Sequence, residues 1–216
     1  MTRIAFLHTG AVVIPPVMEL AGRLLPDAAT VNYLDDKIVA DLGDPERAAS
    51  VDARLEDLVR AAQSAGAGAV MLTCSSISAY AAPLAERVGI PVLRIDEAMA
   101  DEAVAAGERI AVIATLPTTL GPTTALIAER AALAGRSPEI VSEVVEGAFA
   151  AVAGGDRATH DALVAAAIER LAAQADIVVL AQASMASAAA AVTVEVPVLT
   201  SLEPGITRLR DTLVAD

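Results

Sequence analysis

A chain of 216 residues that is 55% hydrophobic but only 2% aromatic, with no Trp, must build its interior from Ala, Val, Leu and Ile, and it is long enough for one large α/β domain or two lobes of about 100 residues. Its single cysteine, Cys74, excludes an internal disulfide and a cysteine-built zinc site. The formal charge of −13 and the lack of any basic stripe exclude a nucleic-acid partner, whose phosphates call for clustered Lys and Arg.

Taken in chain order, short apolar runs alternate with longer Ala-, Leu-, Arg- and Glu-rich stretches, the pattern of βα units around a mostly parallel sheet. Strands are predicted at Ile4–His8, Thr30–Leu34, Ala69–Thr73, Val92–Ile95, Ile110–Ala114, Ile140–Val145, Ile177–Ala181 and Val198–Thr200. The clearest helix is "PERAASVDARLEDLVRAAQSAGAG", with Asp44 as cap, Pro45 in the first turn and Gly66 at the stop. "NYLDDKIVADLGD" before it reads as a solvated acidic loop, because Asp35, Asp36, Asp41 and Asp44 lack the ligand spacing of a calcium loop. "ATLPTTLGPTT" reads as a long hydroxyl-rich loop without a nucleotide fingerprint. His160 falls at the start of a predicted helix, where a solvated or capping role is the default, and Glu97 is placed to cap or brace the helix that follows it.

The N-terminal "MTRIAFLHTG" has an apolar stretch too short for a signal peptide. The charge-free windows Ile110–Ala128 and Ile177–Val194 are broken by Pro, Gly, Gln, Ser and Thr. A soluble, cytoplasmic protein with no membrane partner is expected. Lys37, the only lysine, lies in the polar "DDK" and is no Schiff-base candidate.

Laying the second half under the first exposes an internal repeat. "RIAFLHT" from Arg3 matches "RIAVIAT" from Arg109, 106 residues on, and "VGIPVLRIDEAM" from Val88 answers "VEVPVLTSLEPG" from Val194 at the same spacing. Between them "VMLTCSS" answers "VVLAQAS", which sets Cys74 against Gln182. A period this long predicts two similar lobes, residues 1–106 and 107–216, with a C-terminal helix that can pack across lobes. Ligands of open parallel sheets bind beyond the carboxyl ends of the strands, so a site shared by the two sets of strand ends is expected.

Two readings of Cys74 stand side by side: a small apolar filler, the usual fate of a free cysteine, or a thiol activated near a helix opening at Ser78. His8, at the end of the first strand, either activates that thiol or hydrogen-bonds to backbone. Thr9, Ser75, Ser76, Thr115, Thr118, Thr119 and Ser184 are singly caps or turn residues. Paired across the repeat, they form a set of donors suited to a carboxylate and to an enediolate formed from it.

"HTG", "TCSS", "IDEAMA", "ATLPTT" and "LAQASMA", spread over nearly the whole chain, resemble the aspartate/glutamate racemase superfamily, which includes hydantoin racemases, maleate isomerases and arylmalonate decarboxylases. The resemblance implies two pseudosymmetric three-layer α/β lobes with the active site in the cleft between them, no cofactor, no metal, a small carboxylate substrate and a homodimer. In the racemases of that superfamily two cysteines face opposite sides of the substrate Cα. The first of those positions is Cys74 here and the second is Gln182, which cannot exchange a proton near neutral pH. His8 stands where glutamate racemases carry an acidic residue. The expectation is an isomerase acting at Cα of a small carboxylate through Cys74 and His8, with Thr9, Ser75, Ser76, Thr115, Thr118, Thr119, Gln182 and Ser184 binding substrate. The alternatives are a one-sided decarboxylase, lyase or cis–trans isomerase, and a carboxylate-binding paralogue without catalysis.

Overall fold

The structure is a computed structural model that describes residues 2–215, with 214 and 215 described by their backbone alone. Along the chain run β1 (Arg3–His8), α1 (Ile14–Leu24), β2 (Ala29–Leu34), α2 (Ile38–Leu42), α3 (Ala48–Ser64), β3 (Ala67–Leu72), α4 (Ala81–Val88), β4 (Val92–Arg94) and α5 (Glu97–Ala106). The second half repeats the order with β5 (Arg109–Ala114), α6 (Pro117–Leu133), β6 (Glu139–Val144), α7 (Ala148–Ala153), α8 (Arg157–Ala172), β7 (Ile177–Leu180), α9 (Ala186–Ala191), β8 (Val198–Leu199) and α10 (Leu202–Ala215). All eight predicted strands are present. They form two four-stranded parallel sheets of the same topology, β2-β1-β3-β4 and β6-β5-β7-β8.

Central strands of a parallel sheet are covered on both faces and so read as unbroken apolar runs. β1 from Ile4 to Leu7 and β7 throughout are at most 1% exposed. In the first sheet, Ala5, Leu7, Val70 and Leu72 pack on Val51, Leu55 and Val59 of α3 and on Leu84 and Val88 of α4. In the second, one face packs Ile110, Val112, Ile177 and Val179 on Met99, Ala103 and Val104 of α5 and Leu126 and Ile127 of α6. The other face packs Ala111, Ile113, Val178 and Leu180 on Val164, Ile168 and Leu171 of α8. Among the described residues, no helix is long and apolar enough to cross a membrane.

The chain divides into two compact units, but not at the repeat boundary between 106 and 107. One unit runs through Ile95 and takes in the C-terminal stretch from Leu202; the other is Asp96–Ser201. The closing helix of each repeat therefore belongs to the unit of the other repeat. α5 supplies Met99, Ala100, Ala103 and Val104 to the second core. α10 lies on α1 in the first unit, where Arg23 pairs with Glu203 at 3.2 Å and Ile206 and Leu209 are fully buried.

Three local expectations are corrected. α3 begins at Ala48 rather than at Pro45, because Asp44 closes a separate turn, its carboxylate accepting from Glu46 N–H at 2.9 Å; Gly66, with φ of +85°, does form the stop. The acidic segment is no solvated loop. It contains α2, Asp41 is buried, and Arg54 of α3 holds both Asp35 and Asp41 while Arg47 holds Asp44. The hydrogen bond from Arg54 is the main reason the Asp41 carboxyl titrates below the ordinary range. "PTTLGPTT" is not a loop but the first turns of α6: Leu116 is extended, Pro117 takes a first-turn position where no N–H is needed, and the Thr124 hydroxyl reaches the Leu120 and Gly121 carbonyls next to Pro122.

Gly205 of α10 rests directly on the end of β4's connection. A Cβ there would overlap the Ile95 carbonyl oxygen and stand 2.8 Å from Ile95 Cδ1. Gly22 in α1 has nothing within 4 Å of the same position. Gly205→Ala is expected to cost about 1–3 kcal/mol through overpacking. Gly22→Ala should stabilise by about 0.5–1 kcal/mol through helix propensity. Urea unfolding of both variants checks the pair, and equal midpoints would show that α10 does not close on Ile95.

Candidate active site

In the first unit β1 and β3 run side by side and end together. Thr73 still pairs with β1, its N–H donating to the Leu7 carbonyl at 3.0 Å, and Cys74 follows in extended conformation (φ −135°, ψ 126°) as the residue that opens a short 3-10 helix, Ser75–Tyr80. The turn opens one residue after Thr73, and Ser78 lies inside it rather than starting it. Thr73, Ser75, Ser76, Ile77 and Ser78 are all buried, whereas Cys74 is partly exposed. One side of Cys74 packs on the core while the residue remains the accessible one in its run.

His8, fully buried at the end of β1, does not spend its ring nitrogens on the thiol. Nδ1 lies 2.8 Å from Thr73 Oγ1 and Nε2 lies 2.8 Å from Asn32 Oδ1. Thr73 Oγ1 also lies 3.0 Å from the Leu7 carbonyl, so its one proton serves either that carbonyl or the imidazole. Desolvation by burial pulls the His8 pKa below its ordinary value, and the Asn32 contact only partly opposes this. The neutral ring thus donates from Nε2 to Asn32 and accepts the Thr73 hydroxyl at Nδ1. Thr9, next in sequence, is buried.

The second unit repeats this backbone with other side chains. Ala181 N–H donates to the Ile113 carbonyl at 2.9 Å, as Thr73 does to Leu7, and Gln182 (φ −133°, ψ 139°) opens the 3-10 turn Ala183–Met185 as Cys74 opens its own. The Gln182 amide oxygen accepts from both the N–H (2.5 Å) and the hydroxyl (3.0 Å) of Thr115. Thr115 therefore directs both its N–H and its hydroxyl at Gln182. In the first turns of α6, Thr119 is buried, and the Thr118 hydroxyl oxygen is buried with no hydrogen-bond partner among the described residues. Ser184 is partly exposed, and its carbonyl accepts from Arg157 at 2.8 Å.

His160 is not solvated. It is fully buried in α8, with Nδ1 2.7 Å from Asp161, which also accepts from Ser187. The cap of α8 is Asp156, whose carboxylate takes the Thr159 N–H. Glu97 opens α5 and reaches Arg130 at 3.7 Å. Among the described residues, no three His, Cys, Asp or Glu side chains are grouped to hold a metal ion. Sequence reasoning missed Thr73, Asn32 and Arg157. Thr73 sits beside the cysteine on the strand, and Asn32 interrupts an otherwise apolar "TVNYL", which was the one readable sign of a partner for His8.

Two parallel sheets of one topology, with polar side chains appearing where the central strands end, define an internally duplicated α/β protein. The comparisons make this more specific. The sequence matches the Asp/Glu/Hydantoin racemase family over residues 9–209, and the chain belongs to that family. Among solved structures, glutamate racemase isoform RacE1 from Bacillus anthracis aligns with a TM-score of 0.79 at 18% identity, covering 99% of this chain and 82% of that one. An aspartate racemase homologue from Pyrococcus horikoshii OT3 aligns at 0.72 and 16% identity over the whole of both chains. An arylmalonate decarboxylase aligns at 0.58 and 20% identity, covering 96% of this chain and 92% of that one. At these identities the likeness is one of fold. A comparison with curated proteins finds no match.

The depressed His8 pKa has a consequence for stability. Between the lowered folded value and an unfolded value of about 6.5, the unfolded chain binds the extra proton, so stability declines as pH falls below about 6.5 and is level above it. His8→Gln should flatten this part of the urea-midpoint profile. An unchanged slope in the variant would contradict a buried neutral His8.

Proposed function

We propose that the chain is a cofactor-independent enzyme of isomerase type that acts at Cα of a small carboxylate, with the Cys74 thiol carrying the proton. The observation behind this reading is that Cys74 is partly exposed at a strand end, between buried Thr73 and buried Ser75–Ser78, at the position where the racemase resemblance puts a catalytic thiol. A thiolate held there removes the Cα proton from one face; inversion is completed by a solvent proton delivered to the opposite face, where Gln182 has none to give, and the thiol returns its own proton to solvent. His8 acts through Thr73, whose hydroxyl it engages, and so fixes the strand end that presents Cys74. Thr9, Ser75, Ser76, Thr118, Thr119 and Ser184 supply neutral donors for the substrate carboxylate. The buried Thr118 hydroxyl in particular gains from an acceptor, since an unpaired buried polar group costs about 1–3 kcal/mol.

Gln182 favours a second reading, a one-sided lyase. In that reaction the bond from Cα to a carboxylate breaks, CO2 leaves, its bonding electrons remain in an enediolate, and the Cys74 S–H delivers one proton to one face before solvent reprotonates the thiolate. The fold shared with an arylmalonate decarboxylase is compatible with it.

The test is turnover of amino acids, hydantoins, maleate and substituted malonates in deuterated water by the wild type and Cys74→Ala. Loss of the proton-transfer group should lower turnover by about 10²- to 10⁴-fold. Deuterium in recovered substrate of both hands supports the isomerase, and single-enantiomer deuterated product supports the lyase. Undiminished turnover in Cys74→Ala, or binding without turnover across the panel, overturns the assignment.

A further inference from the structure

The turn that follows β7 is held differently from the turn that follows β3. In the first unit Ser75, Ser76, Ile77 and Ser78 are all buried, so packing fixes their backbone. In the second, Ala183 and Ser184 are partly exposed and Ala186 and Ser187 are exposed, which leaves Met185 and Ala188 as the buried anchors of residues 183–188. The rest of that turn has to be placed by polar contacts.

Those contacts come from the first turns of α8. One guanidinium nitrogen of Arg157 donates to the Ser184 carbonyl at 2.8 Å and lies 3.5 Å from the Ser187 hydroxyl. The Ser187 hydroxyl donates to Asp161 Oδ1 at 2.9 Å, and the same oxygen lies 2.7 Å from Nδ1 of the fully buried His160. A carboxylate only accepts, so the imidazole donates from Nδ1, and its buried Nε2 has no partner among the described residues. His160, Asp161, Ser187 and Arg157 thus form a chain of contacts that runs from the buried side of α8 to the Ser184 carbonyl.

The folding of α8 does not itself call for Arg157. It is the first residue of the helix, where the macrodipole favours an anion and disfavours a cation. Arg109, Arg130 and Arg170 of the same unit pair with Asp176, Asp101 and Glu143, whereas the partners of Arg157 among the described residues are the Ser184 carbonyl and the Ser187 hydroxyl. The first unit has no counterpart. α3 opens on Ala48, and its fifth residue, Asp52, pairs with Arg87 of α4.

We propose that Arg157 and Asp161 are positioning residues, which latch the turn after β7 to α8 and so set where Ser184 stands beyond the end of that strand. The part the turn plays in binding rests on the proposed function; the latch itself does not.

The experiment is amide hydrogen exchange at residues 183–188 of the full chain in the wild type, Arg157→Ala, Arg157→Lys, Ser187→Ala and, to remove an ion pair elsewhere on α8, Arg170→Ala. Ser187→Ala cuts the link between Asp161 and the turn without depriving buried His160 of its acceptor. Exchange should quicken by about 10-fold in Arg157→Ala and in Ser187→Ala, the scale of one hydrogen bond, while β5 and β7 exchange as in the wild type. Arg157→Lys, which restores one donor for the carbonyl, should recover part of the protection, and Arg170→Ala should leave these residues unchanged. For any acid that the wild type turns over, Arg157→Ala should raise KM by about 10-fold and hold kcat within about threefold, with Arg157→Lys in between, whereas Cys74→Ala lowers kcat. A general loss of structure would lower the melting temperature and the yield of active protein and would leave KM alone. Unchanged exchange in Arg157→Ala, equal acceleration in Arg170→Ala, acceleration spread through β5 and β7, or an unchanged KM with a loosened turn overturns the inference. A wild type that turns over nothing overturns the proposed function instead, and the exchange pattern then decides the latch by itself.

Discussion

A strand hydrogen-bonded on both edges and covered on both faces cannot carry a polar side chain until its ladder runs out, because a buried polar group without a partner costs several kcal/mol on transfer scales, of order 2–7. This constraint places His8, Thr9, Thr73, Cys74, Thr115 and Gln182. β1 is apolar through Leu7 and then gives His8 and Thr9; β3 is apolar through Leu72 and then gives Thr73, Cys74 and Ser75. β5 gives way to Thr115 and β7 to Gln182 in the same manner. The strand-to-helix turns that follow repeat nearly the same dihedral angles at Cys74 and Gln182, so the backbone of the site is duplicated even where its chemistry is not.

The difference between the two copies lies in what stands behind those two residues. In the first unit His8, Thr73 and Asn32 form a hydrogen-bonded string at the strand ends. In the second, Ala114 and Ala181 hold the places of His8 and Thr73, and Ser142 pairs with Val112 in the register that Asn32 has with Phe6. The buried members of this string, His8 and Thr73, have to be satisfied to be tolerated, and each imidazole nitrogen has one neighbour, with exposed Asn32 at the outer end. The unit that carries the thiol thus has a hydrogen-bonded string at its strand ends, while in the other unit the carboxamide of Gln182 is held by Thr115.

The strands and the duplication were readable because an apolar run between turn residues has one physical meaning in a parallel sheet, and two copies of it reinforce each other. The opening of α6 was not readable in the same way. Pro117, Gly121 and Pro122 are breakers by local rule, and only the burial of Thr119, Thr123, Leu126 and Ile127 against the sheet makes that stretch helical. The roles of His8 and Thr115 were hidden for another reason. Their partners, Asn32, Thr73 and Gln182, lie on neighbouring strands, and register across a sheet leaves no mark on local spacing. His160 followed the general habit of histidines near helix starts, yet α8 turns it inward, with Val164 and Ile168 following at helical spacing on the buried side.

The exchange of closing helices explains why the repeat boundary and the unit boundary disagree. Each repeat ends in a helix, α5 or α10, at nearly the same position in the period, and the period is unchanged whichever unit the helix joins. Packing decides it. α5 puts Met99, Ala100, Ala103 and Val104 against the second sheet, whose other cover on that face is α6. α10 needs the close approach that Gly205 permits at Ile95 and the pairing of Glu203 with Arg23. The second repeat carries "EPG" where the first carries "EAM", so of the two closing helices only α10 has a glycine at this position. Neither unit completes its layers from its own repeat alone, and the two halves of the sequence are therefore linked by the folding of both cores as well as by the chain.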